Sequence, residues 1–361
     1  LCDGVDDQVE IIQALEALPE TGGEIVILDG TYNITASINI PKNNVSIRGN
    51  GNATILKRTC DSTIENRGLI TLNGKSGCKI QDLQIDGNKA TCTAGYNCGI
   101  VLVSSSNNTI TGNTCHNNRY GIDLTYSDNN TITGNTCNDN DTGILLLYES
   151  SKNNTVTGNT CNNNGYCGIR LSSSNYNTIT GNTCTYNNHN GIFLYSYSKN
   201  NTVTDNTCYN NSSSGIVLVS SSDNTVTGNT CYNNNKYGIY LYSSSSNNTV
   251  TGNTCNNNNY GICLCAPSNN TITGNTCNNN NNTGISLYSS SNNVVTGNTC
   301  IRGTGTPRDY TTDQYTILLS GTDNNYNLIS FNNCMGKAVV SEGGIGNSVW
   351  GNKFDATNNL P

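Results

Sequence analysis

The chain has 361 residues, of which only 34% are hydrophobic and 11% charged, with a net charge of −7. Its low content of charged residues argues against a disordered chain, and the mild negative charge leaves no basic surface for nucleic acid or anionic lipid. No apolar run approaches the roughly 18–20 residues that cross a membrane, so no membrane span is expected. The chain begins at Leu1 instead of a methionine, which suggests a processed form or a piece of a longer protein.

The first 98 residues predict a capped beginning followed by irregular structure. Residues 8–18 have the pattern of a short amphipathic α-helix, which we expect to cap one end of the fold within residues 1–21. Asp3, Asp6 and Asp7 come just before it and are interpreted as its capping and dipole partners, with a calcium site as the alternative. Residues 22–98 are predicted to form irregular early rungs.

Residues 99–300 are dominated by a repeat. A string close to TGNTC recurs at steps of 22 to 24 residues, and a Gly-Ile-x-Leu string keeps the same period. Thr, Ile, Val and Tyr in these strings favour strands, and the Asn, Gly and Ser clusters between them favour bends. We therefore predict an all-β fold, a right-handed single-stranded parallel β-helix solenoid of about 23 residues per rung, forming one domain over residues 1–361.

Alternation along each strand assigns side chains to the two faces of the sheet. In the rung that ends at Leu124, this places Ile122 and Leu124 inside the coil and Asp123 and Thr125 outside.

Two inward columns recur once per rung. We interpret the cysteines of TGNTC as small buried thiols, with rung-to-rung disulfides as an alternative because stacked Cα atoms lie about 4.8 Å apart. This column contains Cys115, Cys137, Cys161, Cys184, Cys208, Cys231, Cys255, Cys277 and Cys300. The corner asparagines are expected to bond along the stack through their amides. They are Asn113, Asn135, Asn159, Asn182, Asn206, Asn229, Asn253, Asn275 and Asn298. Cys92 and Cys98 flank a short loop and are predicted as a disulfide pair.

The outward positions beside Gly-Ile-x-Leu are apolar over several rungs. They form two columns, Leu145, Phe193, Val217, Tyr240 and Cys263, and Leu147, Tyr195, Val219, Tyr242, Cys265 and Tyr288. We expect an exposed stripe that favours contact between subunits, with sugar binding or simple strand propensity as alternatives. Cys263 and Cys265 could form bridges to another subunit.

The period breaks between Cys300 and Cys334. The excess lies in residues 301–315, a predicted loop insertion that carries Asp309 and Asp313. We expect this loop to be structural or part of a contact surface, and a ligand site there is the alternative. Residues 301–361 are predicted to comprise this insertion and the last rungs.

Asparagine sequons recur at one corner of the repeat and favour an extracellular or cell-surface location. The predicted N-glycosylation sites are Asn107, Asn129, Asn153, Asn200, Asn247 and Asn269.

These strings resemble the pectate-lyase-like superfamily of β-helices, and most closely the NosD-like repeats of surface proteins of methanogenic archaea. The resemblance covers residues 99–300, and residues 3–19, 22–34, 47–51 and 83–88 look like the first segments of the superfamily. It implies the fold but not one function, because this fold carries lyases, hydrolases, epimerases, adhesins and fibres. The NosD name implies copper, which histidine, methionine and cysteine bind. Because the chain has only His116, His189 and Met335 besides its cysteines, no cofactor is expected. Copper binding by the cysteine column is the alternative.

No clustered carboxylates of a lyase or hydrolase are apparent among the repeats. Asp123 and Arg170 share an outward column two rungs apart and are interpreted as a surface charge pair. We therefore predict neither a catalytic nor a metal site, and leave open whether the protein is an enzyme.

The sequence favours a structural cell-surface protein that assembles with copies of itself into a fibre, sheath or layer, because an uncapped last rung invites pairing. The alternative is a β-helix protein that binds or degrades polysaccharide, as a lyase or hydrolase.

Overall fold

The computed structural model describes residues 2–61, 67–148, 151–301, 315–335, 340–341 and 344–354. The fold is an all-β parallel solenoid of about 13 turns, with about 24 residues per turn and one short N-terminal helix, so the predicted fold class is confirmed. The chain divides into two units, residues 1–183 and residues 184–361, and each is described by itself.

The N-terminal helix spans Gln8–Glu16, two residues shorter than predicted. Its apolar face buries Ile11 and Leu15 against the strands Gly30–Ile34 and Ile38–Asn39. Burying such side chains stabilises the fold by about 1.5–3 kcal/mol each, which explains why a helix of nine residues persists here.

The interpretation of the preceding acids as helix caps is wrong for Asp7. Asp7 occupies the N-cap position with helical backbone angles, and its carboxylate makes no bond to the helix. Its two oxygens instead accept the backbone N–H groups of Gly4 at 2.8 Å and Asn33 at 2.7 Å. This acid therefore ties the N-terminal loop to a strand of the first rung.

The strands of the first unit form two sets. The Gly-Ile-x-Leu positions give one sheet, with strands Ile38–Asn39, Gly68–Asn73, Cys98–Val103, Tyr120–Thr125, Thr142–Leu147 and Cys167–Ser172. The other set is Gly23–Val26, Gly30–Ile34, Val45–Arg58, Lys79–Asp86, Thr109–Thr111, Thr114–His116, Thr131–Thr133, Thr136–Asn138, Thr155–Thr157, Thr160–Asn162 and Thr178–Thr180, followed by Thr183–Thr185 at the boundary.

The second unit repeats this arrangement. Its Gly-Ile-x-Leu strands are Ile192–Tyr195, Ile216–Val219, Tyr237–Tyr242, Tyr260–Cys265, Thr283–Tyr288, Tyr315–Ser320 and Val340–Ser341. The remaining strands are Thr202–Thr204, Thr207–Tyr209, Thr225–Thr227, Thr230–Tyr232, Thr249–Thr251, Thr271–Thr273, Val294–Thr296, Thr299–Ile301, Leu328–Ser330, Asn333–Met335, Ser348–Trp350 and Lys353–Phe354.

Neighbouring rungs pair in parallel and in register, so identical positions stack. Ile122 lies opposite Ile100 on one side and Ile144 on the other, and all three are fully buried. Leu124 is fully buried as well, as the alternation predicts. The core is therefore a set of columns, each filled by one kind of side chain.

The corner asparagines form hydrogen-bonded ladders. In the second unit, Nδ2 of Asn253 donates to Oδ1 of Asn275 and to the carbonyl of Val226, both at 2.9 Å. Its own Oδ1 accepts the backbone N–H and Nδ2 of Asn229, again at 2.9 Å. The amide of each asparagine thus satisfies backbone and side-chain groups of the neighbouring rungs, as buried polar groups require.

Further ladders, which we did not predict, occupy other corners. They run through Asn108, Asn130 and Asn154, through Asn118 and Asn140, through Asn224, Asn248 and Asn270, and through Asn211, Asn234 and Asn258.

Candidate functional site

The first outward column is buried, so the prediction of a broad exposed stripe is wrong for most of its members. Phe193 is only 7% exposed, because the ring of Tyr195 packs against it at 5.5 Å between centroids. Leu145, Val217 and Cys263 are also buried. The second column keeps more surface, with Tyr195, Tyr242 and Tyr288 exposed. What remains is a narrow tyrosine-rich edge, and its role as an interface stays a prediction.

Asp123 occupies the same outward column and is fully buried. Its Oδ2 lies 3.5 Å from Nη2 of Arg67, and its Oδ1 accepts the Thr125 hydroxyl at 3.0 Å. Nη2 of Arg67 also donates to Oγ1 of Thr125 at 2.8 Å. Burial raises the pKa of the Asp123 carboxyl, although the charge of Arg67 and the Thr125 hydroxyl oppose this. The protonated form of Asp123 is therefore favoured more than it is in an exposed aspartate.

The predicted pair of Asp123 with Arg170 is wrong. Both residues lie in the predicted column, with Leu145 between them. The Arg170 guanidinium lies over the ring of Tyr166 at 5.6 Å, whereas Asp123 meets Arg67. Arg67 lies ahead of the regular repeats, so no column of the sequence could place it beside Asp123.

Arg119 is a second cation that acts on Asp123, and it lies over two aromatic rings. Its guanidinium carbon lies 4.4 Å from the ring centroid of Tyr96 and 5.3 Å from that of Tyr120. Burial raises the pKa of Tyr120, and the charge of Arg119 opposes that rise. The charge of Arg119 also acts on Asp123. We call Arg67, Tyr96, Arg119, Tyr120 and Asp123 the Arg119 cluster.

A polar cavity of about 220 Å³ adjoins the cluster. Arg119 lines it together with Asn97, Asn117, Lys89 and Asp141. Lys89 and Asp141 form an ion pair there. The cavity and cluster together offer cations, amides and rings on one surface of the first unit.

Arg58 supports the cluster from inside. It is 2% exposed and donates to the carbonyl oxygens of Arg67 at 3.2 Å and Cys98 at 3.0 Å. Burial lowers its pKa, and the thiol of Cys98 opposes this. Arg58 thus fixes the backbone from which Arg67 reaches Asp123.

The sequence pattern places Asp123 in an outward column but does not indicate the cluster around it. The available signal was Asp123 itself, an acid between Val101 and Leu145 in a mainly apolar column, whereas the columns of Arg119 and Tyr120 vary from rung to rung. The predicted loop over residues 301–315 lies almost wholly outside the described residues.

All 18 cysteines are thiols in the structure. Cys92 and Cys98 are buried and contact the carbonyl oxygens of Arg58 and Tyr96, so a bridge between them stays a prediction. Burial raises the pKa of Cys92. Cys263 is buried and Cys265 half-buried, which disfavours the suggested bridges to another subunit.

The six predicted glycosylation asparagines are exposed and share one backbone conformation. Their φ angles lie between +55° and +59°, which is the left-handed region that asparagine tolerates well. The modification itself stays a prediction.

Metal-binding groups in the described part of the chain are few. Cys2, Asp7 and Glu10 bring three ligand atoms within 4.8 Å of one another. One sulfur and two carboxylates suit a harder ion than copper. The two ring nitrogens of His116 lie within hydrogen-bonding distance of the side chains of Gln84 and Asn117. Burial and the charge of Lys236 lower the pKa of His189. No described helix is long and apolar enough to cross a membrane.

Comparison with solved structures gives full-length similarity at low identity. The A-module of Azotobacter vinelandii mannuronan C-5 epimerase AlgE4 matches with a TM-score of 0.71 and 20% identity, over 97% of this chain and 98% of that one. The Dettilon tailspike protein gp208 matches with a TM-score of 0.69 and 18% identity, over 98% of this chain and 66% of that one. The periplasmic alginate epimerase AlgG matches with a TM-score of 0.55 and 18% identity, over 98% of this chain and 89% of that one. No curated protein matches the sequence.

A family model described as "Periplasmic copper-binding protein (NosD)" matches residues 37–235 and 196–360. Thiols are the donor type that monovalent copper prefers, and the structure stacks them in the cysteine column. The column therefore fits soft, monovalent copper better than Cys2, Asp7 and Glu10 do. Because the first match alone covers 199 of the 361 residues, more than half of the sequence, the chain belongs to the NosD family.

Proposed function

We propose that the protein is exported and binds an acidic polysaccharide at the Arg119 cluster. The observation that carries this proposal is that Arg119, which lies over the rings of Tyr96 and Tyr120, lines a polar cavity together with Lys89 and Asn117. The family description as periplasmic and the similarity to mannuronan and alginate epimerases support it.

The chemistry of the cluster suits a sugar that carries a carboxylate. A guanidinium can bind a carboxylate through two parallel hydrogen bonds. Tyr96 and Tyr120 offer ring faces for the apolar side of a sugar and hydroxyls for its polar edge.

This proposal replaces self-assembly, which the sequence favoured. The first outward column, which was to supply the contact between copies, is buried by its own neighbours within each unit. The comparisons give polysaccharide-related neighbours and do not support a homopolymer.

Binding to acidic and neutral polysaccharides tests the proposal. We expect alginate or polygalacturonate to bind and dextran not to, and Arg119→Ala to weaken binding about tenfold, since a charge-assisted contact contributes about 1.5–3 kcal/mol. Arg48→Ala is the matched control, because the Arg48 side chain is 44% exposed and its ion pair among the described residues is with Glu24.

Equal binding of dextran and alginate, or unchanged alginate binding by Arg119→Ala, would contradict the proposal. Product analysis after long incubation shows whether binding leads to cleavage or epimerisation.

A further inference from the structure

Arg170 and Tyr166 form a second pair of a cation and a ring on the first unit, which the proposed sugar site does not use. The Arg170 guanidinium carbon lies 5.6 Å from the ring centroid of Tyr166. Both side chains are half-buried, so each keeps a surface that a ligand can reach. The pair thus repeats the combination of guanidinium and ring that Arg119 makes with Tyr96 and Tyr120.

This second pair lies two rungs away from Arg119 along one column of the solenoid. The backbone N–H of Asp141 donates to the carbonyl of Arg119 at 3.0 Å, and that of Tyr166 donates to the carbonyl of Asp141 at 2.6 Å. Rungs of a parallel sheet repeat about every 4.8 Å, so Arg119 and Tyr166 are separated by about 9.6 Å along the solenoid axis. The two pairs therefore follow one another along the axis, with one rung between them.

The intervening rung continues the wall of the polar cavity. Asp141 lines this cavity together with Arg119 and Lys89. A Cβ on Gly165 would lie 3.7 Å from Oδ1 of Asp141, so this carboxylate lies beside the residue that precedes Tyr166. Lys89 forms an ion pair with the same carboxylate. A ligand chain that leaves the cavity towards Tyr166 thus passes an acid that already has a cation partner.

Charge and spacing along this path suit a chain of acidic sugars. Each guanidinium can bind a carboxylate through two parallel hydrogen bonds, and the ring beside it can pack against the sugar. In an extended, two-fold chain of uronates, neighbouring carboxylates point to opposite sides, so those on one side recur at every second sugar. Two sugar units of such a chain are close in length to the two rungs that separate Arg119 from Tyr166.

We propose that the first unit binds a polyuronate chain along the solenoid axis, with one carboxylate at Arg119 and that of the second sugar beyond it at Arg170. This inference rests on the proposed function and adds to it the direction of the chain and a minimum length of three sugars. Tyr166 positions the second sugar by packing against its apolar face.

A competing path runs across the sheet, along the strand Tyr120–Thr125. The exposed rings of Tyr126 and Tyr148 stack at its far end, with centroids 4.7 Å apart. That pair offers ring faces, whereas Arg170 offers the guanidinium that a second carboxylate requires. Charge complementarity therefore favours the axial path.

Calorimetric titration of the full chain with oligomannuronates and oligogalacturonates of two, three and six sugars tests this. We expect the wild type to bind three or six sugars at least about tenfold more tightly than two, because the contact at Arg170 is added. Arg170→Leu, which introduces the residue type of Leu145 in the same column, should remove this gain and leave the affinity for two sugars unchanged. Arg48→Leu, a matched control on the same unit, should keep the gain.

Circular dichroism establishes that Arg170→Leu keeps the β-helix, and Arg170→Gln takes its place if it misfolds. Failure of the wild type to bind any of these chains would overturn the proposed function and this inference together. Binding that Arg119→Ala weakens but that is independent of chain length, or a gain with length that the folded Arg170 variant retains, would overturn this inference alone. Loss of the gain in Tyr126→Ser/Tyr148→Ser but not in Arg170→Leu would also overturn it, because the chain would then run across the sheet.

Discussion

A buried carboxyl on the outward side of a sheet is unusual in an all-β solenoid whose buried columns hold mainly aliphatic side chains, cysteine and asparagine. Asp123 is fully buried, yet the part of the chain that the structure describes gives its Oδ2 only the ion pair with Arg67 and no hydrogen bond. Transfer of a carboxylate out of water is unfavourable unless it is paired. The residue is therefore held at a cost to stability, as functional residues often are.

Asp123 should make stability depend on pH in a predictable direction. Its pKa is raised in the folded state above 3.8, the ordinary value, so the folded state binds more protons and stability falls as pH rises through that interval. In Asp123→Asn this loss disappears. Urea unfolding of both proteins at acidic and neutral pH should show the variant gaining stability relative to the wild type as pH rises.

The control for this measurement is Asp223→Asn, which removes an acid of the second unit that lies on an exposed turn beside Asn247. Identical pH dependence of the wild type and Asp123→Asn would mean that Asp123 does not titrate between the folded and unfolded states.

At this scale the sequence predicted the column of Asp123 but not its partner. The column follows from alternation within Tyr120–Thr125, which is local. Arg67 is 56 positions earlier and belongs to an irregular rung, so its meeting with Asp123 depends on the fold of residues that carry no repeat.

At the scale of the element, the corners hold the strands in place. Most described rungs turn at a glycine with positive φ, such as Gly252 at +62°, followed by a ladder asparagine, and Asp205 and Phe331 take the glycine's place in two of them. The repeat predicted these corners because the backbone there demands residues that tolerate the left-handed region. The side-chain burial beside the strands was not predictable, because it depends on the size of neighbours in adjacent rungs, as for Phe193 under Tyr195.

Asn253→Ala should destabilise the protein by about 3 kcal/mol or more, because several buried groups lose partners that each contribute about 1–3 kcal/mol. The carbonyls of Val226 and Thr251 and the amide of Asn229 would be left without this side chain. Asn235→Ala, at an exposed position of the same unit, should change stability by less than about 0.5 kcal/mol. Chemical denaturation measures both, and equal losses would show that the ladder does not stabilise the corner.

At the scale of the whole molecule, the period of the sequence determines the fold, since every rung presents the same columns to its neighbours. A protein built in this way is stabilised by the sum of its rungs and the contacts between adjacent ones. The fold class was therefore predictable from residues 99–300, and the N-terminal helix was predictable from its amphipathic pattern. The helix ends at Glu16, two residues before its predicted end.

Deletion of one whole rung should be tolerated. Removal of residues 232–255 joins Cys231 to Asn256 and keeps every column in phase. We expect the same β-rich circular dichroism spectrum per residue and a cooperative thermal transition only modestly lower than that of the wild type. The control removes residues 232–243, which is only about half a rung from the same region. This deletion misaligns the columns and should abolish the cooperative transition. Equal behaviour of the two deletions would contradict the modular description.

The asparagine ladder of the second unit also has a direction. At each step from Asn206 to Asn352, Nδ2 of the earlier asparagine donates to Oδ1 of the later one. Amide dipoles that point the same way add together, as they do along an α-helix. This unit is therefore electrically polar, with partial positive charge towards its last rung and partial negative charge towards its first. A stack of near-identical rungs consequently presents two unlike ends to any charged molecule that approaches it.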